Sequence, residues 1–196
     1  MDAMQELYLQ KLARWQNFME VFSLPGWEEL PDMDLYVDQV VTLVSRYLNL
    51  IPQDEKNPLI TASSINNYVR LRVMPAPARK RYGRRHLAYV LMICTLKQSM
   101  ALTEIQKILP PDLDDEDTKQ IYANFVGRIN GAIQGFIDQV NAEAARELVE
   151  GNEQGCTNLV LHSAVNSVLY KLLTVKLTNL PRPDLSAEAN NKPQEG

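Results

Sequence analysis

From Lys56 to Thr103 this 196-residue chain contains no aspartate and no glutamate, although it has 24 of them elsewhere. The same window holds nine basic residues, so a +9 block sits inside a protein of net charge −4. The rest of the chain sets 11 basic residues against those 24 acids, a balance of −13. Histidine and cysteine are also scarce, at two each. Two distant cysteines make no disulfide framework, and a reducing cytoplasm is the expected compartment. Two histidines exclude most His-based catalytic constellations. There is no Gly-rich phosphate loop, metalloprotease helix motif or zinc spacing. The chain therefore reads as a non-enzyme with no cofactor and no metal. The uncharged run from Leu87 to Leu96 is too short to span a bilayer, and no membrane partner is expected. An N-terminus carrying Asp2 and Glu6 without a continuous apolar core is not read as a signal peptide.

What is present points toward a polyanion. Thr61 can N-cap a short helix. Along it Ala62, Ile65, Tyr68 and Val69 recur at helical spacing and should be buried. The opposite face carries Ser63, Asn66, Asn67 and Arg70, short hydrogen-bonding groups and one guanidinium of the kind that reads base edges. A merely solvated face is more often Glu and Lys. Pro75 and Pro77 hold the next segment extended, and Arg79-Lys80-Arg81-Tyr82-Gly83 suits a two-stranded wing with cations at its tip. A second helix follows with Leu87, Val90, Leu91 and Cys94 as its buried stripe, Cys94 being a core thiol. Thr103 to Gln106 has capping-box spacing for a third helix, ending before Pro110-Pro111. Reading helix 61–72, basic wing 74–85, helix and short helix is a winged helix-turn-helix order.

These residues resemble a known family. Ser64-Ile65-Asn66-Asn67-Tyr68, Val73-Met74-Pro75, Lys80-Arg81-Tyr82, His86-Leu87 and Leu102-Thr103-Glu104-Ile105 look like the DNA-binding head of MerR-type regulators. The resemblance implies that the reading helix enters the major groove while the wing grips the backbone. That family usually has Arg and Tyr where this chain has Asn66 and Asn67, so its phosphate contacts do not carry over to those positions. It also favours glycine where this chain has Arg72. A second resemblance covers more sequence: Leu24 to Val40, with Ile65-Asn66-Asn67-Tyr68-Val69, looks like the bacterial domain-of-unknown-function family 1836, regarded as MerR-like and regulatory. It spans roughly Trp15 to Leu109 and implies a fold and a class, with no ligand and no target.

The flanks read as helices. Met1 to Phe22 is an amphipathic helix expected to pack on the head, and Trp27 anchors the linker after it. Asp32 or Asp34 can N-cap a supporting helix with Leu35, Val40, Val41, Val44 and Leu48 buried. The Asp34 and Asp38 pair lacks a third ligand and is read as capping and solvation. Beyond Pro110-Pro111 a long helix to about Val149 buries Ile121, Phe125, Ile129, Ala132, Phe136 and Val140. Gly127, Gly131 and Gly135 form a row on it, at about 1 kcal/mol each relative to alanine, which suggests a second backbone close by. That backbone is either a partner's or the last helix of the same chain. This last helix, Thr157 to Leu180, should bury Leu161, Val165, Val168, Leu169, Leu172 and Val175. Cys156 with His162 falls short of a metal site in ligand count.

The expected architecture is all-α with a small β wing. A MerR-like winged helix-turn-helix head with the N-terminal helix occupies 1–110, a C-terminal helical hairpin 111–180, and a disordered tail 181–196. The expected function is sequence-specific binding of double-stranded DNA by a transcriptional regulator, as a homodimer. Ser63, Asn66, Asn67 and Arg70 face base edges; Arg72, Arg79, Lys80, Arg81, Arg84 and Arg85 neutralise phosphates; Tyr68 and Tyr82 position them. The alternative is a protein-interaction adaptor that turns the basic head toward an acidic partner.

Overall fold

The computed structural model describes residues 3–54, 56–149, 152 and 154–180. Among them the fold is helical: α1 (Ala3–Val21), α2 (Val37–Tyr47), α3 (Ala62–Arg70), α4 (Arg84–Leu96), α5 (Leu102–Ile108), α6 (Asp115–Glu147) and α7 (Gly155–Thr178). A single 3-10 turn spans Trp27–Glu29. The expected β wing is not a two-stranded ribbon. Its segment makes only the isolated bridges Leu35–Tyr82 and Ala78–Arg81, because His86 takes the Gly83 N–H and the Ala76 carbonyl that the next ladder pair would use. The tail lies outside the described residues.

Capping explains where the helices start, with two shifts from expectation. α2 is capped at Tyr36, not at Asp32 or Asp34; the Gln39 side-chain oxygen accepts from the Tyr36 N–H at 2.8 Å. α5 starts ahead of Thr103, and Glu104 Oε2 accepts from the Ala101 N–H at 2.8 Å. Elsewhere local chemistry and structure agree. Thr61 caps α3, and the Asp114 carboxylate accepts from the Asp117 N–H at 2.8 Å to start α6.

α4 is the central element. The sequence pattern marked one stripe, yet all eight residues from Leu87 to Cys94 are buried. α2 packs on it from one direction while α5 and α6 pack from others, so no face is left for solvent. Burial pushes the Cys94 thiol up to about 11, as suits an inert core cysteine. The same core takes in Leu24, Leu30 and Leu35 from the linker and Tyr122 and Val126 from α6. The hydroxyl of Tyr122 donates to the Pro25 carbonyl at 2.9 Å, and its ring meets Trp27 edge-on at 6.3 Å.

The flanking helices depart further from expectation. α1 packs on α6 rather than on the head: Trp15 meets Phe136 edge-on at 5.9 Å, and Leu9 and Leu12 join Ala144, Leu148 and Leu159 in a second small cluster. The buried line of α6 is therefore turned from the expected one, through Tyr122, Val126, Ile137 and Ala144, and leaves Phe136 exposed. α7 folds back along α6 from a tight turn in which a Cβ on Gly155 would stand 2.1 Å from the Glu147 carbonyl oxygen. It does not lie in the glycine row: among the described residues, no atom beyond the helix's own backbone comes within 4 Å of a Cβ built on Gly127, Gly131 or Gly135. Nor does it bury the expected stripe, since Leu161, Val165, Val168, Leu169 and Leu172 all stay 56–60 % exposed.

Candidate nucleic-acid interface

Partner chemistry divides the basic block into an open half and a neutralised half. The open half begins on α3. Ile65 and Tyr68 turn into the core, leaving Ser63, Asn66 and Arg70 exposed on one face at i, i+3 and i+7. Asn67 is half-buried beside them and accepts from Arg70 Nη2 at 2.6 Å, which lays the guanidinium along the helix. α3 closes through Arg72 at φ 53, with the Val73 N–H donating to the Tyr68 carbonyl at 2.9 Å. The left-handed closure thus forms with arginine where the resembling family prefers glycine, and a cationic side chain stands there instead of a hydrogen.

The turn that replaces the wing has the same character. The Arg81 N–H donates to the Ala78 carbonyl at 2.8 Å, and the two central residues, Arg79 and Lys80, sit at φ 50 and 60. Two successive left-handed residues make a type I′ turn, whose usual occupants are Asn and Gly. The left-handed conformation costs an ordinary L-residue about 1–2 kcal/mol. Among the described residues, the non-glycine positions with positive φ are Arg72, Arg79 and Lys80. All three are cationic and exposed. None has a side-chain partner among the described residues.

Arg81 stacks 3.5 Å over the ring of Tyr36 and donates to its hydroxyl at 2.5 Å. The pairing of Leu35 with Tyr82, through reciprocal 2.9 Å backbone bonds, brings Tyr36 to this place. Tyr36 was not among the sequence candidates, and its partner is 45 residues away. The only local sign was an exposed aromatic just ahead of a helix. Tyr36, Asn66, Arg79, Lys80 and Arg81 line one groove of about 630 Å³ between the open face of α3, the start of α2 and the turn. The helix face and the cationic turn, read separately in the sequence, meet here.

The other candidates lie differently. Arg84 donates to Glu28 at 2.8 Å and to the Leu30 carbonyl at 3.2 Å, with its guanidinium 5.9 Å from the Trp27 ring. Arg85 reaches Asp115 at 3.4 Å, and Lys119 also binds Glu28, at 2.7 Å. The Lys119 hydrogen bond is the chief cause holding the exposed Glu28 carboxyl below its usual range. Lys97 points inward and donates to the Leu59 carbonyl at 2.6 Å and the Tyr68 hydroxyl at 3.3 Å. Tyr68 is buried, and its phenol is pushed up by that burial. Tyr82 is also buried, backing the groove with its ring edge-on to His86 at 5.7 Å. Of twelve sequence candidates, Asn66, Arg79, Lys80 and Arg81 line the groove, while Ser63, Asn67, Arg70 and Arg72 lie on α3 or at its end, outside the lining.

His86 is a strut under the turn. Its Nδ1 accepts from the Gly83 N–H at 3.1 Å, which leaves Nε2 to donate to the Ala76 carbonyl at 3.3 Å. That arrangement needs the neutral ring. Burial lowers its pKa below 6.5 and Arg85 adds to the shift, opposed by the Ala76 carbonyl, Asp115 and Asp34. A base whose pKa falls on folding binds protons better when unfolded, so its stabilising effect is complete above pH 6.5 and is lost as pH drops below that value. Urea midpoints taken from pH 7.5 down to pH 5 should therefore fall more steeply for the natural protein than for His86→Gln. Parallel curves would remove His86 from this role.

The family Domain of unknown function (DUF1836) matches residues 25–125, just over half of the 196-residue chain. The chain belongs to this family. The DUF1836 region takes in the Trp27 turn, α2 to α5 and the start of α6 with Tyr122, so it coincides with the larger core and includes the groove. α1 and α7 fall outside it. No curated protein and no solved structure matches the chain.

Proposed function

We propose that this protein is a sequence-specific double-stranded DNA-binding regulator whose α2–α5 region works as a MerR-like winged helix-turn-helix. In this reading α3 enters the major groove. Ser63, Asn66 and Asn67 supply short donors and acceptors to base edges, and Arg70 reaches a guanine or a phosphate. Arg72, Arg79, Lys80 and Arg81 contact the backbone on either side and fix the register. Tyr36 holds the Arg81 guanidinium flat, ready to meet phosphate in two-pronged fashion. Arg84 and Arg85 are left out because carboxylates of the same chain already occupy them. The protein acts in the cytoplasm as a pair of copies on two half-sites, since one short helix in one groove buries little surface.

The observation that carries the reading is the backbone at Arg72, Arg79 and Lys80. Each holds a left-handed conformation that glycine or asparagine would adopt at lower cost, and each presents an exposed cation, Arg79 and Lys80 in the groove and Arg72 at the end of α3. Strain retained at exposed positions points to a task for the side chains that retain it.

Gel-shift titration of the full chain against random duplex, with salt varied, tests binding. Selection from a randomised duplex pool then tests reading. Asn66→Ala should relax preference at one base position by about 1–3 kcal/mol while leaving random-duplex affinity nearly unchanged. A natural protein that does not bind duplex DNA at low salt, yet captures a polyacidic peptide, would establish the adaptor instead.

A further inference from the structure

The outer face of α7 is the largest feature the groove does not explain. Between Val160 and Leu180, ten large apolar side chains each keep 44–65 % of their surface. They ring the helix, Leu173 and Leu177 lying on the same side as Leu159, and together they expose on the order of 1,000 Å² of apolar surface, where a standard interface takes about 800 Å² from each partner. The pattern is ordered. Leu161, Val165, Val168, Leu172 and Val175 recur at spacings of four, three, four and three, which is the seam of a coiled coil. The inner side of the helix is the side used within the chain: Gly155 and Leu159 are buried there, and His162 and Asn166 are half-buried. Leu161, Val165, Val168 and Leu172 thus face outward, 56–60 % exposed, while Val175 at the end of the seam is half-buried.

We infer that this seam joins two copies of the chain, α7 packing antiparallel on the partner's α7 with Val168 at the two-fold axis. Three observations select this occupant and this direction. The outward part of that surface, roughly half of it, is a large share of what one copy contributes to a stable dimer. α7 contains no acidic residue, and its two charges, Lys171 and Lys176, both lie in the C-terminal half. A parallel pair would place four ammonium groups side by side, whereas an antiparallel pair sends them to opposite ends. Reversal about Val168 sets Leu161 of one copy level with Val175 of the other, seven residues to either side, and brings Val165 within one residue of Leu172. α7 lies outside the DUF1836 match, so this joint is an addition to the family region. It gives physical form to the two-copy binding proposed above, but it stands on the apolar face alone.

The test uses the full chain without DNA, so its failure is separable from failure of the DNA reading. Light scattering at micromolar concentration should return twice the chain mass of 22.3 kDa. Val168→Asp combined with Leu172→Asp should return one chain mass with unchanged helix content, because both positions are already exposed. Orientation is read by oxidation in a Cys156→Ser background, Cys94 being buried and silent. Val168→Cys should couple two chains. Leu161→Cys should not, since antiparallel packing holds the two positions about 21 Å apart along the axis at 1.5 Å per residue. A single-chain mass for the natural protein overturns the seam. So does a doubly substituted chain that keeps the double mass, and coupling through Leu161→Cys without coupling through Val168→Cys overturns the antiparallel direction.

Discussion

Replacing Arg79 with Asn and Lys80 with Gly should make the protein more stable and a weaker DNA binder at once. The turn already has the backbone that Asn-Gly prefers, with φ 50 and 60 at the two positions. Relief of two strained residues, offset in part by the greater freedom of glycine in the unfolded chain, should raise the unfolding free energy by about 1 kcal/mol. Both side chains are exposed and form no hydrogen bond or ion pair among the described residues whose loss would count against that gain. On DNA the sign reverses. Two lost phosphate contacts should reduce the slope of log affinity against log salt by about 1.8, at roughly 0.9 per phosphate. Chemical denaturation and salt-titrated gel shifts on the same variant check both halves. A purely structural turn would gain stability with no change in slope. A loss of stability would show that the side chains hold the fold, and that the left-handed backbone is not a cost borne for binding.

That turn also shows how far the sequence alone could be read. The basic block, the Thr61 cap and the α3 face were visible because each is set by residues within a few positions of one another. The groove was not, because it depends on Tyr36 meeting Arg81 through the Leu35–Tyr82 pairing. Charge counting had the same blind spot. It gave Arg84 and Arg85 the same weight as Arg79 and Lys80, whereas Glu28 and Asp115, distant in sequence, neutralise the first pair. In α7 the spacing marked an apolar stripe that should be buried, but periodicity says only that a face needs covering. It does not name the surface that covers it. The hairpin itself formed, α7 folding back along α6, but it covers neither the expected stripe nor the glycine row, which stays open among the described residues.

The core around α4 bears directly on where the DNA-binding unit ends. The change in composition at Pro110-Pro111 suggested a boundary there, with an independent head before it. Yet the eight-residue buried run of α4 needs cover on every side, and α6 supplies one of them. Tyr122 is fully enclosed, its ring against Trp27 and its hydroxyl on the Pro25 carbonyl, and Val126 completes the same cluster. A fragment ending at residue 110 therefore loses a buried aromatic, a buried valine and the partner of a linker carbonyl. Deleting a buried large aromatic side chain costs about 3–5 kcal/mol, and the valine and the carbonyl add to that, against a typical total stability of about 5–15 kcal/mol. That fragment should lose near-ultraviolet ellipticity and bind a hydrophobic dye while retaining much of its helix signal. A fragment ending at residue 131 keeps Tyr122 and Val126 and should unfold cooperatively. The family match, which runs to Phe125, agrees with a unit of the longer kind. If the fragment ending at residue 110 melts as sharply as the longer one, the start of α6 is an attachment to the head and not part of its core.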